Sequence, residues 1–272
     1  MSGPILERLF VDADGQQLLL EKGSWGQCVV MVRKAGMRAA DEPCEDAAGL
    51  VAWDGTTCCM LAADGVGGCR GGDVAARLTI TSVAEQLRTV DCDGLSIQSA
   101  VLAGIEASNE QLLARHGGAA TTILAAVVDD GELRTYHAGD SDLLVVGQRG
   151  KVKHQTISHS PVGYAVEAGV LDVRDGFEHE DRHFLSNCVG MEAMRVEVAS
   201  AIRLQPRDTV VLASDGLWDN IQLDEVIEIV RKGPLQRAME KLASRCQQSM
   251  LGENPDVAGK PDDLAILLYR LA

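Results

Sequence analysis

Two apolar runs of this chain end alike: MLAADGVGG, from Met60 to Gly68, and VVLASDGLWDN, from Val210 to Asn220. Each reads as a buried strand that stops at an aspartate followed by a glycine. A carboxylate there is expensive to desolvate unless something neutralises it, and the chain repeats the pattern. Asp64 follows MLAA, Asp140 follows YHAG, Asp215 follows VVLAS, Asp262 and Asp263 precede LAILLY, and Glu45 and Asp46 lead into AAGLVAW. One Asp-Gly by itself is a turn whose carboxylate caps nearby N–H groups. Acids gathered at several strand ends point instead to divalent cations, because Mg2+ and Mn2+ take hard oxygen ligands and a pair of ions needs several carboxylates to balance its charge. The glycine after Asp64 leaves room for a backbone carbonyl to join them.

With 272 residues, 46% of them hydrophobic, the chain can bury a sizeable core. A formal net charge of −15 without a basic stripe argues against nucleic acid, whose binding needs cations to displace phosphate counterions. No apolar run approaches the roughly 18 residues that span a bilayer. The first residues, MSGPILERLFVDADG, carry acids where a signal peptide carries basic and apolar residues, so a cytoplasmic protein without a membrane partner is expected. Eight cysteines lack any CxxC spacing and read as reduced core thiols, with Cys58 and Cys59 facing opposite ways along a strand.

Strands are expected at QCVVMV, TTCCMLAA, ATTILAAVV, ELRTYHA, DLLVVG, VKHQTI, RVEVASAIRL, DTVVLAS and DLAILLYRL. Helical periodicity marks GDVAARLTITSVAEQLRTV, SIQSAVLAGIEASNEQLLARH, QLDEVIEIVRK and PLQRAMEKLASRCQQSM. Because VDDGELR and GQRGKVK each join two strands through a glycine turn, the middle of the chain reads as an antiparallel meander rather than a βαβ repeat. No linker or repeat divides the chain, so residues 1–272 are expected to form one domain.

These motifs carry a resemblance. EDA at Glu45, DGVGG with GDVA from Asp64 to Ala75, GAATT from Gly118, AGDSDLLVV from Ala138, SDGLWD from Ser214 and PDDLAIL from Pro261 follow the order seen in metal-dependent protein phosphatases of type 2C. The stretch from His159 to Gly190 resembles the flap of the bacterial branch, here about residues 147–190. The resemblance implies an α+β fold, an antiparallel β-sandwich of two sheets flanked by helices. It implies two Mn2+ or Mg2+ ions, with a third in some members. Asp64 would bridge the pair, the Gly65 carbonyl, Asp215 and Asp262 would complete the ligands, and Glu45 and Asp46 would act from one side, directly or through water. Asp64, Asp215 and Asp262 would thereby be the catalytic residues, and Asp140 with Asp215 would hold the third ion. The implied reaction is hydrolysis of phosphoserine and phosphothreonine on proteins by a water activated at the ion pair, in a monomer that opposes a serine/threonine kinase.

Two features depart from the pattern, and a third stretch offers a different chemistry. Val66 stands where animal members often carry a histidine able to protonate the leaving group, which leaves a metal-bound water, His159, His179 or His183 as sources. Asp41 stands where an arginine usually receives the phosphate, which leaves Arg38 nearest. Cys69–Arg70 lies beside DGVGG but lacks the phosphate-cradling loop of a cysteine phosphatase. Two other readings remain open: a catalytically weak or inactive phosphatase-like module that binds a phosphoprotein partner, and a hydrolase of small phosphate esters.

Overall fold

The computed structural model describes residues 3–36, 42–66, 71–91, 94–253 and 259–272, and most of its strands are buried on both faces, which is why they read as apolar runs. One antiparallel sheet holds, in order, β1 (Leu6–Phe10), β4 (Asp46–Ala52), β5 (Cys58–Asp64), β6 (Ile123–Asp129), β7 (Glu132–Ala138) and β10 (Glu197–Val198), with β11 (Ile202–Arg203) also pairing with β7. The second holds β2 (Gln16–Gly23), β3 (Gly26–Arg33), β13 (Leu264–Arg270), β12 (Thr209–Ala213), β8 (Asp142–Val146) and β9 (Val152–Gln155). Helices α1 (Gly72–Arg88) and α2 (Gly94–Ala114) cover the first sheet. Helices α5 (Asp215–Trp218), α6 (Leu223–Val230) and α7 (Leu235–Met250) cover the second, and short helices α3 (Pro161–Glu167) and α4 (Val173–Phe177) lie between β9 and β10.

Strand alternation distributes side chains among three cores. Cys58, Met60 and Ala62 of β5 pack between the sheets with Val30 of β3 and Leu267 of β13, whereas Cys59, Leu61 and Ala63 face Ile80 and Val83 of α1. The adjacent cysteines therefore do face opposite ways. In β3, Cys28, Val30 and Val32 look inward while Val29 and Met31 meet Met239 and Leu242 of α7. Each such aliphatic side chain contributes about 1.5–3 kcal/mol by leaving water, and burial pushes the Cys28, Cys58 and Cys59 thiols upward in pKa. Among the described residues, no helix is long and apolar enough to cross a membrane.

Three strands were not legible as such. β4 is built largely of alanine and glycine, poor strand formers, and owes its conformation to pairing with β1 on one side and β5 on the other. β1 and β2 mix charged and polar residues with leucines. RVEVASAIRL, expected as one strand, forms two-residue strands β10 and β11, both on β7. The expected meander also differs: β6–β7 and β8–β9 are hairpins in different sheets, and the chain crosses between them at Gly139, Asp140 and Ser141.

At one end the sheets are tied by Asp263, which is 1% exposed and accepts hydrogen bonds from the Ala35 N–H (2.7 Å) and the Glu45 N–H (2.7 Å). The start of β13 thus anchors both the chain leaving β3 and the chain entering β4. Asp263→Ala leaves two buried donors unpaired and is expected to destabilise the protein by about 2–6 kcal/mol, with Asp263→Asn, which keeps one acceptor, costing less. Urea unfolding checks this, and an unchanged midpoint for the alanine variant would remove the tie from the account.

Candidate active site

The strand ends converge at the end of the sandwich closed by Asp263. Asp46, the first residue of β4, lies directly opposite Asp64, the last residue of β5. Asp140 stands where the chain crosses between sheets, Asp215 opens α5 just after β12, and Asp262 precedes β13. Both sheets therefore contribute carboxylates, as the paired Asp-Gly endings imply. Glu45, half-buried, adjoins them through the Gly65 N–H, which donates to its carbonyl at 2.9 Å.

Local packing fixes Asp64. The Thr122 hydroxyl accepts its N–H at 2.9 Å, and the Thr121 hydroxyl donates to its carbonyl at 2.8 Å, which gives GAATT a structural role. At Gly65 a Cβ would meet the backbone of Gly72 at 2.4 Å, so the glycine after Asp64 is required for the start of α1 to approach. At Gly216 a Cβ would fall 2.0 Å from the Asp263 carbonyl oxygen, so that glycine lets Asp215 sit against the Asp262–Asp263 segment.

The electrostatics follow from crowding. Burial, and next Asp215, hold the Asp64 carboxyl well above the ordinary range, with Asp46, Asp140 and Asp262 adding to the rise. Burial and Asp263 do the same to Asp46, burial and Asp215 to Asp140, and Asp262 is raised to about 6 by burial and Asp215. Three groups offset the charge. Ser214 donates to Asp46 at 2.6 Å while accepting the Ala265 N–H at 3.0 Å. The Lys260 ammonium lies 2.6 Å from Asp215, 2.9 Å from Asp262 and 3.6 Å from Asp219. Arg182 pairs with Asp219 at 3.1 Å. Burial opposes the Lys260 charge, but Asp215 and Asp262 outweigh it and its pKa rises. An all-oxygen donor set whose members raise one another's pKa in this way fits hard divalent cations.

Among the described residues, the group of potential ligands whose donor atoms all lie within 4.8 Å of one another is elsewhere: His137, His159 and Glu197. The tautomer of His159 argues against a metal. His159 Nδ1 accepts the Gly139 N–H at 3.1 Å and the Asn187 amide at 2.8 Å, an amide oriented by reciprocal bonds to the Arg195 backbone. Nε2 must then carry the proton and donate to Glu197 at 3.2 Å, so neither ring nitrogen is left to ligate. With its ring stacked 4.4 Å from that of His137 and fully buried, His159 joins β7 to the loop before α3 and cannot reach a leaving group. His179 and His183 do not line the cavity beside the acids, a space of about 720 Å3 that runs from Asp140 and Asp215 to Val166 and Phe177 on one wall and Trp218 and Ile227 on the other.

Arg38 and Asp41, with Cys69 and Arg70, lie outside the described residues. Sequence reasoning missed Lys260, Ser214, Asp219 and Arg182. Asp219 was visible inside SDGLWD, but a lysine two residues before Asp262 carries no signal of its own.

A family model described as protein phosphatase 2C matches residues 35–253. The chain is similar to a putative protein phosphatase 2C-type of Streptococcus pyogenes, 29% identical over 178 residues covering 63% of this chain and 72% of that protein. It is also similar to the serine/threonine phosphatase stp of Listeria welshimeri, 26% identical over 181 residues covering 63% and 71%. Its fold is similar to that of the catalytic domain of serine threonine protein phosphatase PstP in complex with two manganese ions, with a TM-score of 0.70, 20% identity, and 93% and 99% of the two chains covered.

A carboxyl whose folded pKa is raised destabilises the fold while ionised, and the burden lifts as pH falls and the folded protein takes up the proton. In chelator-treated protein, Asp64→Asn should therefore raise the melting temperature at pH 8 by about 3 °C or more, the shift expected per kcal/mol for a domain of this size. The gap should narrow as pH falls toward the ordinary carboxylate range. A lower melting temperature for the variant at pH 8 would make Asp64 a structural turn residue.

Proposed function

Because the chain belongs to the protein phosphatase 2C family and is a protein-serine/threonine phosphatase, we propose that it removes phosphate from protein serine and threonine at a binuclear Mn2+ or Mg2+ centre. The observation that carries this reading is the convergence of Asp46, Asp64, Asp140, Asp215 and Asp262 from the ends of both sheets. In this proposal Asp64, the Gly65 carbonyl, Asp215 and Asp262 would hold the ion pair, Glu45 and Asp46 would act from the β4 side, and Asp140 with Asp215 would hold a third ion. When bound, such ions lower the pKa of a shared water and take up charge on the phosphate oxygens. Everything else falls to the chain.

Thr121 and Thr122 hold the Asp64 backbone so that its carboxylate projects from a fixed strand end. Asp46 spends one oxygen on Ser214, which leaves it to act across the joint between sheets rather than as a fully committed ligand. Arg38 is the proposed phosphate contact. The segment at about 147–190, the proposed flap, walls the 720 Å3 cavity beside the acids and would hold the substrate chain flanking the phosphorylated residue. Its Arg182 keeps it docked on Asp219, next to Asp215. Leaving-group protonation falls to water, since His159 is committed elsewhere. We place the activity in the cytoplasm, opposing a serine/threonine kinase, in a monomer; the buried thiols of Cys28, Cys58, Cys59 and Cys246 suit a reducing compartment.

Protein stripped with chelator should not hydrolyse a phosphothreonine peptide, and Mn2+ or Mg2+ should restore turnover. Asp215→Ala should lower restored turnover by several orders of magnitude, measured as released phosphate. Full turnover in excess chelator would overturn the metal centre, and a strong preference for small phosphate esters over phosphopeptides would overturn the substrate class.

A further inference from the structure

Lys260 sits where its backbone cannot wander. Its N–H donates to the Asn220 side-chain oxygen at 3.0 Å and its carbonyl accepts from the Asn220 amide at 2.9 Å. Asn220 is fully buried and also donates to the Gly216 carbonyl at 3.0 Å. The turn that carries Asp215 and Asp219 therefore clamps the backbone from which Lys260 reaches back to those same aspartates. Pro261 follows and restricts the chain further. From this fixed base the ammonium contacts Asp215 Oδ2 at 2.6 Å and Asp262 Oδ2 at 2.9 Å, with Asp219 Oδ2 at 3.6 Å. Its side chain is 37% exposed, against 17% for Asp215 and 20% for Asp262. The cation thus caps the acids from the solvent side.

The contacts are with two of the four protein ligands named for the ion pair. A carboxylate cluster without a counter-cation is strained by like-charge repulsion, and a lysine ammonium, a compact point charge with three donors, can serve several carboxylates at once. Asp262 Oδ1 accepts the Asp263 N–H at 2.9 Å, so an ion binding Asp262 competes with the ammonium for Oδ2. We propose that Lys260 is a built-in counter-cation of the carboxylate cluster, which a divalent ion must displace from Asp215 and Asp262, so that this lysine sets the ion concentration at which the centre loads. The inference rests on the metal-centre reading above. It makes loading an exchange of one cation for another. Any ligand that binds only after a competing group leaves has its apparent affinity reduced by the fraction of time that group is bound. Substituting the lysine should therefore favour the ion and disfavour the ion-free fold.

The test uses the full chain, stripped with chelator, titrated with Mn2+ alone by calorimetry. Lys260→Met, which keeps the apolar stem and removes the charge, should bind Mn2+ at least tenfold more tightly than the parent and melt lower without metal. Lys260→Arg, which keeps a cation at the site, should stay within about threefold of the parent. A second measurement needs no variant: amine-modifying footprinting read by mass spectrometry should show Lys260 of the parent protein becoming several-fold more reactive when Mn2+ is added. Equal or weaker Mn2+ binding by Lys260→Met, or unchanged Lys260 reactivity in a protein that binds Mn2+, overturns the role of the lysine and leaves the metal centre standing. Failure of Mn2+ to bind the parent and Lys260→Met alike overturns the metal centre, and the inference with it.

Discussion

Carboxylates that repel one another are gathered at the seam between two sheets, and much of the surrounding structure serves to tolerate that repulsion. Asp46 and Asp64 face each other across a strand pair, where like charges are ordinarily unfavourable. A hydroxyl from Ser214, an ammonium from Lys260 and a guanidinium from Arg182 each take part of the load. Asp263 is handled differently: two backbone N–H groups donate to it at the joint, so the same residue type that burdens the site also closes the sandwich. The burden is tolerable because three packed cores supply the stability that the site consumes.

The position of the seam follows from how the chain is threaded. Strands that are buried on both faces leave no side-chain position for a charge except at their ends. Antiparallel pairing brings the end of one strand to the start of its neighbour, so Asp46 at the start of β4 and Asp64 at the end of β5 share one edge by register alone. The crossing at Gly139 to Ser141 then places Asp140 between the sheets, and α5 and β13 add Asp215 and Asp262 from the other side. Chemistry is concentrated at this rim because the acidic strand ends of both layers meet there.

Beside that rim, the segment between β9 and β10 forms the outer wall of the cavity. Its Arg182 lies over the Phe177 ring at 5.5 Å and pairs with Asp219, so packing and charge hold one wall against the other. Behind it, the stacked His137 and His159 rings are a scaffold: the Gly139 N–H and the Asn187 amide set the His159 tautomer, and His137 Nε2 donates to the Ile157 carbonyl at 3.1 Å. A pair of histidines and a glutamate in proximity would suggest a metal site from composition alone; hydrogen-bond directions decide against it.

Much of this was legible in the residues. Apolar runs broken by Asp-Gly specified strands and the acids at their ends, helical periodicity specified α1, α2, α6 and α7, and the order of the motifs specified the family and the identity of the carboxylates. These are local properties, carried by residues adjacent in the chain. What only the tertiary structure decided depends on pairing at a distance. β4 became a strand because β1 and β5 flank it, since alanine and glycine have little preference of their own. The two middle hairpins went to separate sheets, which no turn sequence states. Lys260 became the counter-cation because Asn220, 40 residues earlier, holds its backbone beside Asp215, and a lone lysine in a sequence has no periodicity, spacing or motif to announce the charge it will meet.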